Sequence, residues 1–185
     1  MMRTSYEDLT SKLLVEYGNQ WEWEYDLYGK PFIRDFRPTA GESANESGKL
    51  FEEVVHFSIK SLDIPHTPQP RFKCHFGLTR RGDFEVDLKG RVVHIECKQL
   101  GNAESHFDKL SHCMMNLVHG CYGKEFWLVY DYNKNIKRSG MRKIKALQER
   151  CITIKQMCQL QGITFELYTH EEMFAALEDT KNGTI

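Results

Sequence analysis

A mixed α/β fold, in which helices flank a sheet whose central strands form an antiparallel meander, is the architecture this chain predicts. Three observations carry it. From residue 50 onward helical and strand hydrophobic periods succeed one another, the pattern of a layered α/β fold. Within that run, residues 84–95 read as two strands around a Lys89-Gly90 turn. The content of 41% hydrophobic and 28% charged residues over 185 positions is that of an ordinary globular chain.

The elements follow in order. Thr4-Ser5-Tyr6-Glu7 has capping-box spacing, and Leu9, Leu13, Val15 and Tyr17 predict a helix that stops at Gly18. Residues 21–28 (WEWEYDLY) alternate apolar with acidic, the period of a half-exposed strand. Residues 38–48 (PTAGESANESG) are small and turn-forming and read as a mobile linker. Leu50, Phe51, Val54, Val55, Ile59 and Leu62 then set a helical period, which the segment PHTPQP (65–70) stops and returns as extended chain. Phe72, Cys74, Phe76 and Leu78 alternate as a strand, ahead of the hairpin made by Phe84, Val86 and Leu88 with Val93 and Ile95. Helices are expected over 107–118 and around Ile144–Cys158, strands at 125–131 and 163–168, and Thr169-x-x-Glu172 opens a last short helix. The expected division is an N-terminal extension over 1–45, a main domain over 46–179 and a tail over 180–185.

Composition narrows the function classes. The apolar stretches are short and broken by charge, and the N-terminus carries Glu7 and Asp8, so neither a membrane span nor an export signal is expected and the chain reads as cytoplasmic. Six cysteines without a C-x-x-C pair read as reduced core thiols rather than a disulfide or zinc framework. The net charge of −1 conceals an asymmetry: residues 134–150 carry seven Lys or Arg against one acid, Glu149. A basic stripe on a near-neutral chain fits a polyanion partner, with Lys137, Arg138, Arg142 and Lys145 as its contacts, or else a solvated helix face.

The chemistry concentrates in RRGDFEVDLKGRVVHIECKQ (80–99). With Lys89-Gly90 as a two-residue turn, Leu88 faces Arg91, and pairing outward sets Asp83 opposite Glu96. Glu96 and Lys98, two apart, project from one face, so two carboxylates and a lysine meet at the hairpin's open end. Metal-assisted phosphodiester hydrolysis needs such a set: hard oxygen ligands that leave positions for water and phosphate, and a lysine to orient the attacking water or meet developing charge. Glu85 and Asp87 share the parity of Asp83; a turn shifted by one residue reverses the relation, a longer turn chooses another partner, and Asp87 stays open as the alternative to Asp83. In the preceding helix Glu52 lies about 105° from the centre of the apolar face and can reach over the sheet edge, whereas Glu53, about 155° away, faces water.

Asp83 followed thirteen residues later by Glu96-Cys97-Lys98, after a helix reading Gly48-Lys-Leu-Phe-Glu52, resembles the PD-(D/E)XK nuclease superfamily, and within it RecU-type Holliday junction resolvases. Phe107, His112, Gly123 and the strand EFWLVYD extend the likeness, which covers about residues 46–132. The resemblance implies a restriction-endonuclease-like core, with Asp83 and Glu96 binding Mg²⁺ (Mn²⁺ as a substitute), Lys98 assisting the water and Glu52 completing the acid set. It also implies a structure-selective endonuclease on branched DNA. Cutting a four-way junction symmetrically needs two active sites, hence a homodimer. Arg80 and Arg81, beside Asp83, are expected DNA contacts. A nuclease of the same chemistry acting on linear DNA, and a nucleic-acid-binding module with structural acids, are the competing expectations.

Overall fold

The computed structural model describes residues 6–17, 21–25, 31–38, 44–73, 77–100, 115–117, 122–132 and 138–183. Its frame is a five-stranded mixed sheet with helices on both faces. Strands β3 (His66–Pro68), β6 (Phe84–Leu88), β7 (Arg91–Leu100), β8 (Glu125–Tyr132) and β9 (Thr164–Thr169) lie side by side in that order. The β3–β6 and β6–β7 pairs are antiparallel, whereas the β7–β8 and β8–β9 pairs are parallel. The antiparallel meander therefore occupies one half of the sheet, with β7 at the centre, rather than the middle of it.

The Lys89-Gly90 turn fixes the register as expected. Both residues take positive φ, 58° and 89°, the conformation that two-residue hairpins require and that glycine tolerates best. The Asp87 carboxylate accepts the Gly90 N–H at 2.6 Å, closing the turn. Leu88 pairs with Arg91 and Phe84 with Ile95, so Asp83 and Glu96 lie next along the ladder.

Two helical layers close the sheet. Helix α2 (Ala44–Ser61) buries Phe51, Val54, Val55 and Ile59 at i, i+3, i+4 spacing against Val86, Val93, Ile95, Trp127 and Val129. Helix α1 (Tyr6–Tyr17) adds Leu9 and Leu13 to the same core, each worth about 2 kcal/mol of apolar transfer. On the opposite face α3 (Arg138–Leu160) packs Ile144, Leu147, Cys151 and Cys158 over Phe126, Leu128, Tyr130 and Phe165. Strand β8 is thus covered on both sides, which is why its sequence is apolar without alternation. Helix α4 (His170–Asn182) opens on the Thr169/Glu172 capping box, with both reciprocal hydrogen bonds formed, and ends at Gly183 in the left-handed region. The free cysteines Cys97, Cys151 and Cys158 are buried.

The structure departs from the sequence reading in four places. The single strand expected over 72–78 is instead two short strands, β4 (Arg71–Lys73) and β5 (Thr79–Arg81), paired with each other outside the main sheet; Gly77, ahead of β5, sits at φ 73°. The first meander strand is β3, inside the proline-flanked segment, because an edge strand tolerates proline. Strand β2 (Pro31–Pro38), for which the sequence reading has no counterpart, pairs antiparallel with β1 (Trp21–Tyr25), the described part of the strand expected over 21–28, with register shifts between Trp21 and Trp23. Helix α2 begins at Ala44, so 44–48 of the expected linker are helical. In the helix expected over 107–118, residues 115–117 are helical; the remainder lies outside the described residues, as do Cys74, Cys113, Cys121 and His112. No helix of the described residues is long and apolar enough to cross a membrane.

Candidate active site at the open end of the hairpin

Strand β6 starts immediately after Asp83, and β7 carries Glu96 and Lys98 on the face opposite Ile95 and Cys97. The side chains meet. Lys98 Nζ donates to Glu96 Oε1 at 2.7 Å and to the Cys97 carbonyl at 3.0 Å, and lies 3.9 Å from Asp83 Oδ2. The Asp83 carboxylate accepts the Cys97 N–H at 2.6 Å, and the Asp83 N–H donates to the Glu96 carboxylate. Each acid is therefore held by the other strand's main chain, and their side chains are 17% and 14% exposed.

Crowding sets the electrostatics. Burial, then the Asp83 charge, raises Glu96 to about 7, with Lys98 opposing. Burial also raises Asp83, while Lys98 and the Cys97 N–H lower it. Glu52, half-buried on α2, is raised to about 7 by burial first and by Asp83 second, which brings it into the same electrostatic group. Three desolvated acids beside one lysine favour an added cation. Among the described residues no group of three or more His, Cys, Asp or Glu side chains is arranged to hold a metal ion. Mg²⁺, however, is commonly held by one or two carboxylates with water and substrate phosphate, and the donor set of Asp83 and Glu96 fits that habit.

The expected residues thus fall into groups. Asp83, Glu96, Lys98 and Glu52 converge. Asp87 sits at the turn, at the far end of the hairpin, committed to Gly90; Glu85 pairs with His94 at 3.2 Å. Glu53 is exposed, as the helical angle implied, at the rim of the cleft beside Asp83. Arg80 and Arg81 are exposed on β5 next to the site. Arg142 and Lys145 are exposed on α3 while Ile144 and Leu147 face inward. Lys137 lies outside the described residues, and so does the side chain of Arg138, the first residue of α3.

Sequence reasoning missed His56, His66 and Gln69. A cleft of about 340 Å³ opens between α2 and the 68–70 segment, lined in part by Glu52, His56, Gln69 and Asp83. His56 was within reach, being one helical turn beyond Glu52 and so on the same face. Missed as well were Arg71 and Lys73, which pair with Arg81 and Thr79; residues 70–82 hold four Lys or Arg and no acid.

No protein-family model and no curated protein matches the chain. Among solved structures it is similar to AF1548, a protein of unknown function, at 10% identity and a TM-score of 0.34, over 63% of this chain and 55% of that one. It is also similar to the protein VC1899 from Vibrio cholerae, at 16% identity and a TM-score of 0.39, over 95% of this chain and 40% of that one. The chain therefore spans about half the length of these proteins or less, and at such TM-scores neither likeness bears on fold family or activity.

Proposed function

We propose that this chain is a Mg²⁺-dependent endodeoxyribonuclease with a PD-(D/E)XK-type site on a restriction-endonuclease-like core, selective for branched DNA of the Holliday-junction kind and acting inside the cell as a homodimer. The observation that carries the reading is the meeting of Asp83, Glu96 and Lys98 at one end of a hairpin whose turn fixes their register. Asp83 and Glu96 would hold Mg²⁺, or Mn²⁺ in its place. When bound, the metal supplies charge for the phosphate and a more acidic water.

The chain's own groups do the rest. Lys98 is fixed by two acceptors, Glu96 Oε1 and the Cys97 carbonyl. Its ammonium therefore has a defined position from which to orient the attacking water or meet charge developing on the phosphate. Glu52 borders the same cleft and is placed to accept a proton at a carboxylate held near neutrality. Arg80 and Arg81 would meet the flanking phosphates. Helix α3 follows β8, which runs parallel to β7 with Tyr130 beside Lys98, so its basic first turns enter from the same end of the sheet.

Incubating labelled four-way junction, duplex and single-stranded DNA with Mg²⁺ or EDTA tests the reading. Cutting confined to the junction and to Mg²⁺ supports it in full, and a dimer in solution supports its symmetric form. Cutting of linear DNA retains the chemistry and rejects the branch selectivity. Binding without cutting rejects the enzyme.

A further inference from the structure

The cleft beyond Asp83 has a use of its own. Its polar wall is organised by two histidines from different elements. His66 Nδ1 lies 2.8 Å from the Ile64 carbonyl, an acceptor, so that nitrogen carries a proton, and in the imidazole form of the ring Nε2 keeps the lone pair. His56 Nε2 lies 2.9 Å from His66 Nε2, and opposite that lone pair it is the donor. The tautomer of His56 follows from these partners. Its remaining nitrogen, Nδ1, is then an acceptor, and among the described residues the hydrogen bond of the ring is the one to His66. The ring is fixed by Phe84, at a centroid distance of 5.3 Å, and by the edge of His66 at 4.9 Å. Burial and the nearby Lys60 and His66 lower the pKa of His56, which keeps it neutral.

The opposite wall is set by Gln69, a non-glycine residue at φ 49°, a conformation that costs about 1 kcal/mol. Its N–H donates to the Asp83 carbonyl at 2.8 Å, so the strained residue ties the cleft to the site. The space, about 340 Å³, is that of a small-ligand pocket. His56, Glu52 and Asp83 are among the residues that line it, and each carries an acceptor when unprotonated.

We propose that this cleft is a base-reading subsite: it takes one unpaired nucleobase bearing an exocyclic amine, next to the scissile phosphate, with His56 Nδ1 accepting from that amine. The inference rests on the nuclease reading and narrows its substrate. Adenine, cytosine and guanine carry such an amine and thymine does not. In a duplex the Watson–Crick edge is occupied, so the base has to be extruded or already unpaired, as at a branch or gap. The His56–His66–Ile64 chain is the positioning device that makes the ring an acceptor.

Single-turnover cutting of substrates that vary the bases flanking the cut is the test. At one flanking position thymine is cut about tenfold more slowly than adenine, the scale of one lost hydrogen bond to a buried partner. With the wild-type protein, purine in place of adenine gives the same loss, because it lacks the amine. His56→Phe lowers the amine-bearing substrates to the thymine level. Equal rates for adenine and purine, or an undiminished preference in His56→Phe, overturn the proposal, and the purine comparison decides even where the variant fails to fold. Long-range ¹H–¹⁵N spectra of the histidine rings read the tautomer without any cutting: a proton on Nε2 of His56 is expected, and a proton on Nδ1 overturns the proposal. If the chain cuts no DNA the nuclease reading fails separately. Titration with dAMP against purine deoxynucleotide then decides the subsite, since only the amine-bearing ligand is expected to move the His56 signals.

Discussion

Asp83 and Glu96 are clasped through each other's strands: Asp83 accepts the N–H of Cys97, the residue after Glu96, at 2.6 Å, and its own N–H donates to the Glu96 carboxylate. Two acids that repel each other are thereby held at fixed positions by main-chain donors. Neither can swing away to relieve the repulsion without leaving a buried N–H unpaired, a cost of about 1–3 kcal/mol.

From this clasp, Asp83→Asn and Glu96→Gln should each retain the fold, because the amide oxygen still accepts the main-chain N–H. Mg²⁺-dependent cleavage should fall by about a thousandfold or more, as expected when a group that stabilises the transition state is lost. DNA affinity should hold or rise, since a negative charge facing phosphate is removed. Wild-type cutting rates in either variant would reject the site.

Lys98→Ala separates positioning from binding. The ammonium is anchored by Glu96 Oε1 and the Cys97 carbonyl, so its loss should lower the single-turnover rate by about a hundredfold or more while Kd changes by less than about threefold. A variant with the wild-type rate and weakened binding would make Lys98 a phosphate contact instead.

Without a cation the site should destabilise the protein in alkali. Glu96 is raised from its usual 4.5 to about 7, so the folded state binds this proton more tightly than the unfolded state. Its contribution is therefore complete below about pH 4.5 and is lost as the pH rises to about 7. The loss is on the order of 3 kcal/mol. Denaturant titrations in EDTA at pH 5 and pH 8 measure it. The alkaline loss should shrink in Glu96→Gln, leaving the share carried by Glu52, and shrink as well with millimolar Mg²⁺ in the wild type. Equal alkaline loss in the variant would assign it elsewhere.

The site was legible where local geometry dictates distant pairing. A two-residue turn fixes every pair along a hairpin, so Lys89-Gly90 was enough to set Asp83 beside Glu96, and the 100° helical step was enough to bring Glu52 to the flank of its helix. The cleft was not legible, because β3 is three residues long with prolines around it and becomes a strand by pairing with β6. His66 and Gln69 are functional candidates because of where that pairing puts them. The β4–β5 ribbon was misread for a related reason: four alternating apolar positions look like one strand, and the positive φ of Gly77 leaves no mark in the period.

Acid should destabilise the fold through a second buried group. His170 is 3% exposed and lies 2.7 Å from Ser58 Oγ, which itself donates to the Val54 carbonyl at 2.9 Å. Burial lowers its pKa from 6.5 to about 3. Between those values the unfolded chain takes up a proton that the folded chain refuses, so stability is complete above about pH 6.5 and falls with pH by about 1.4 kcal/mol per unit. By pH 4.5 the loss is about 3 kcal/mol. His170→Gln should flatten this limb between pH 6.5 and 4.5, and an unchanged slope would place the acid lability on another group.

The basic face of α3 decides whether the helix serves DNA or the core alone. Arg142 and Lys145 are exposed, whereas Ile144 and Leu147, between and beyond them, are 4% exposed. Reversing both charges, Arg142→Glu with Lys145→Glu, should therefore leave the melting temperature within a degree or two, because no buried contact changes. If both residues track phosphates, each contact releases about 0.9 counterion, and the log–log salt dependence of DNA affinity should flatten by roughly two units in the double variant. Affinity should fall alike for junction, duplex and single strand, since a phosphate contact carries no information about sequence or branching. Cutting rates at saturating DNA should be retained, because neither side chain takes part in the Asp83, Glu96 and Lys98 cluster. An unchanged salt slope in a folded double variant would leave α3 as a core helix with a solvated face, and would move the polyanion contact to Arg80, Arg81 and their neighbours on the β4–β5 ribbon.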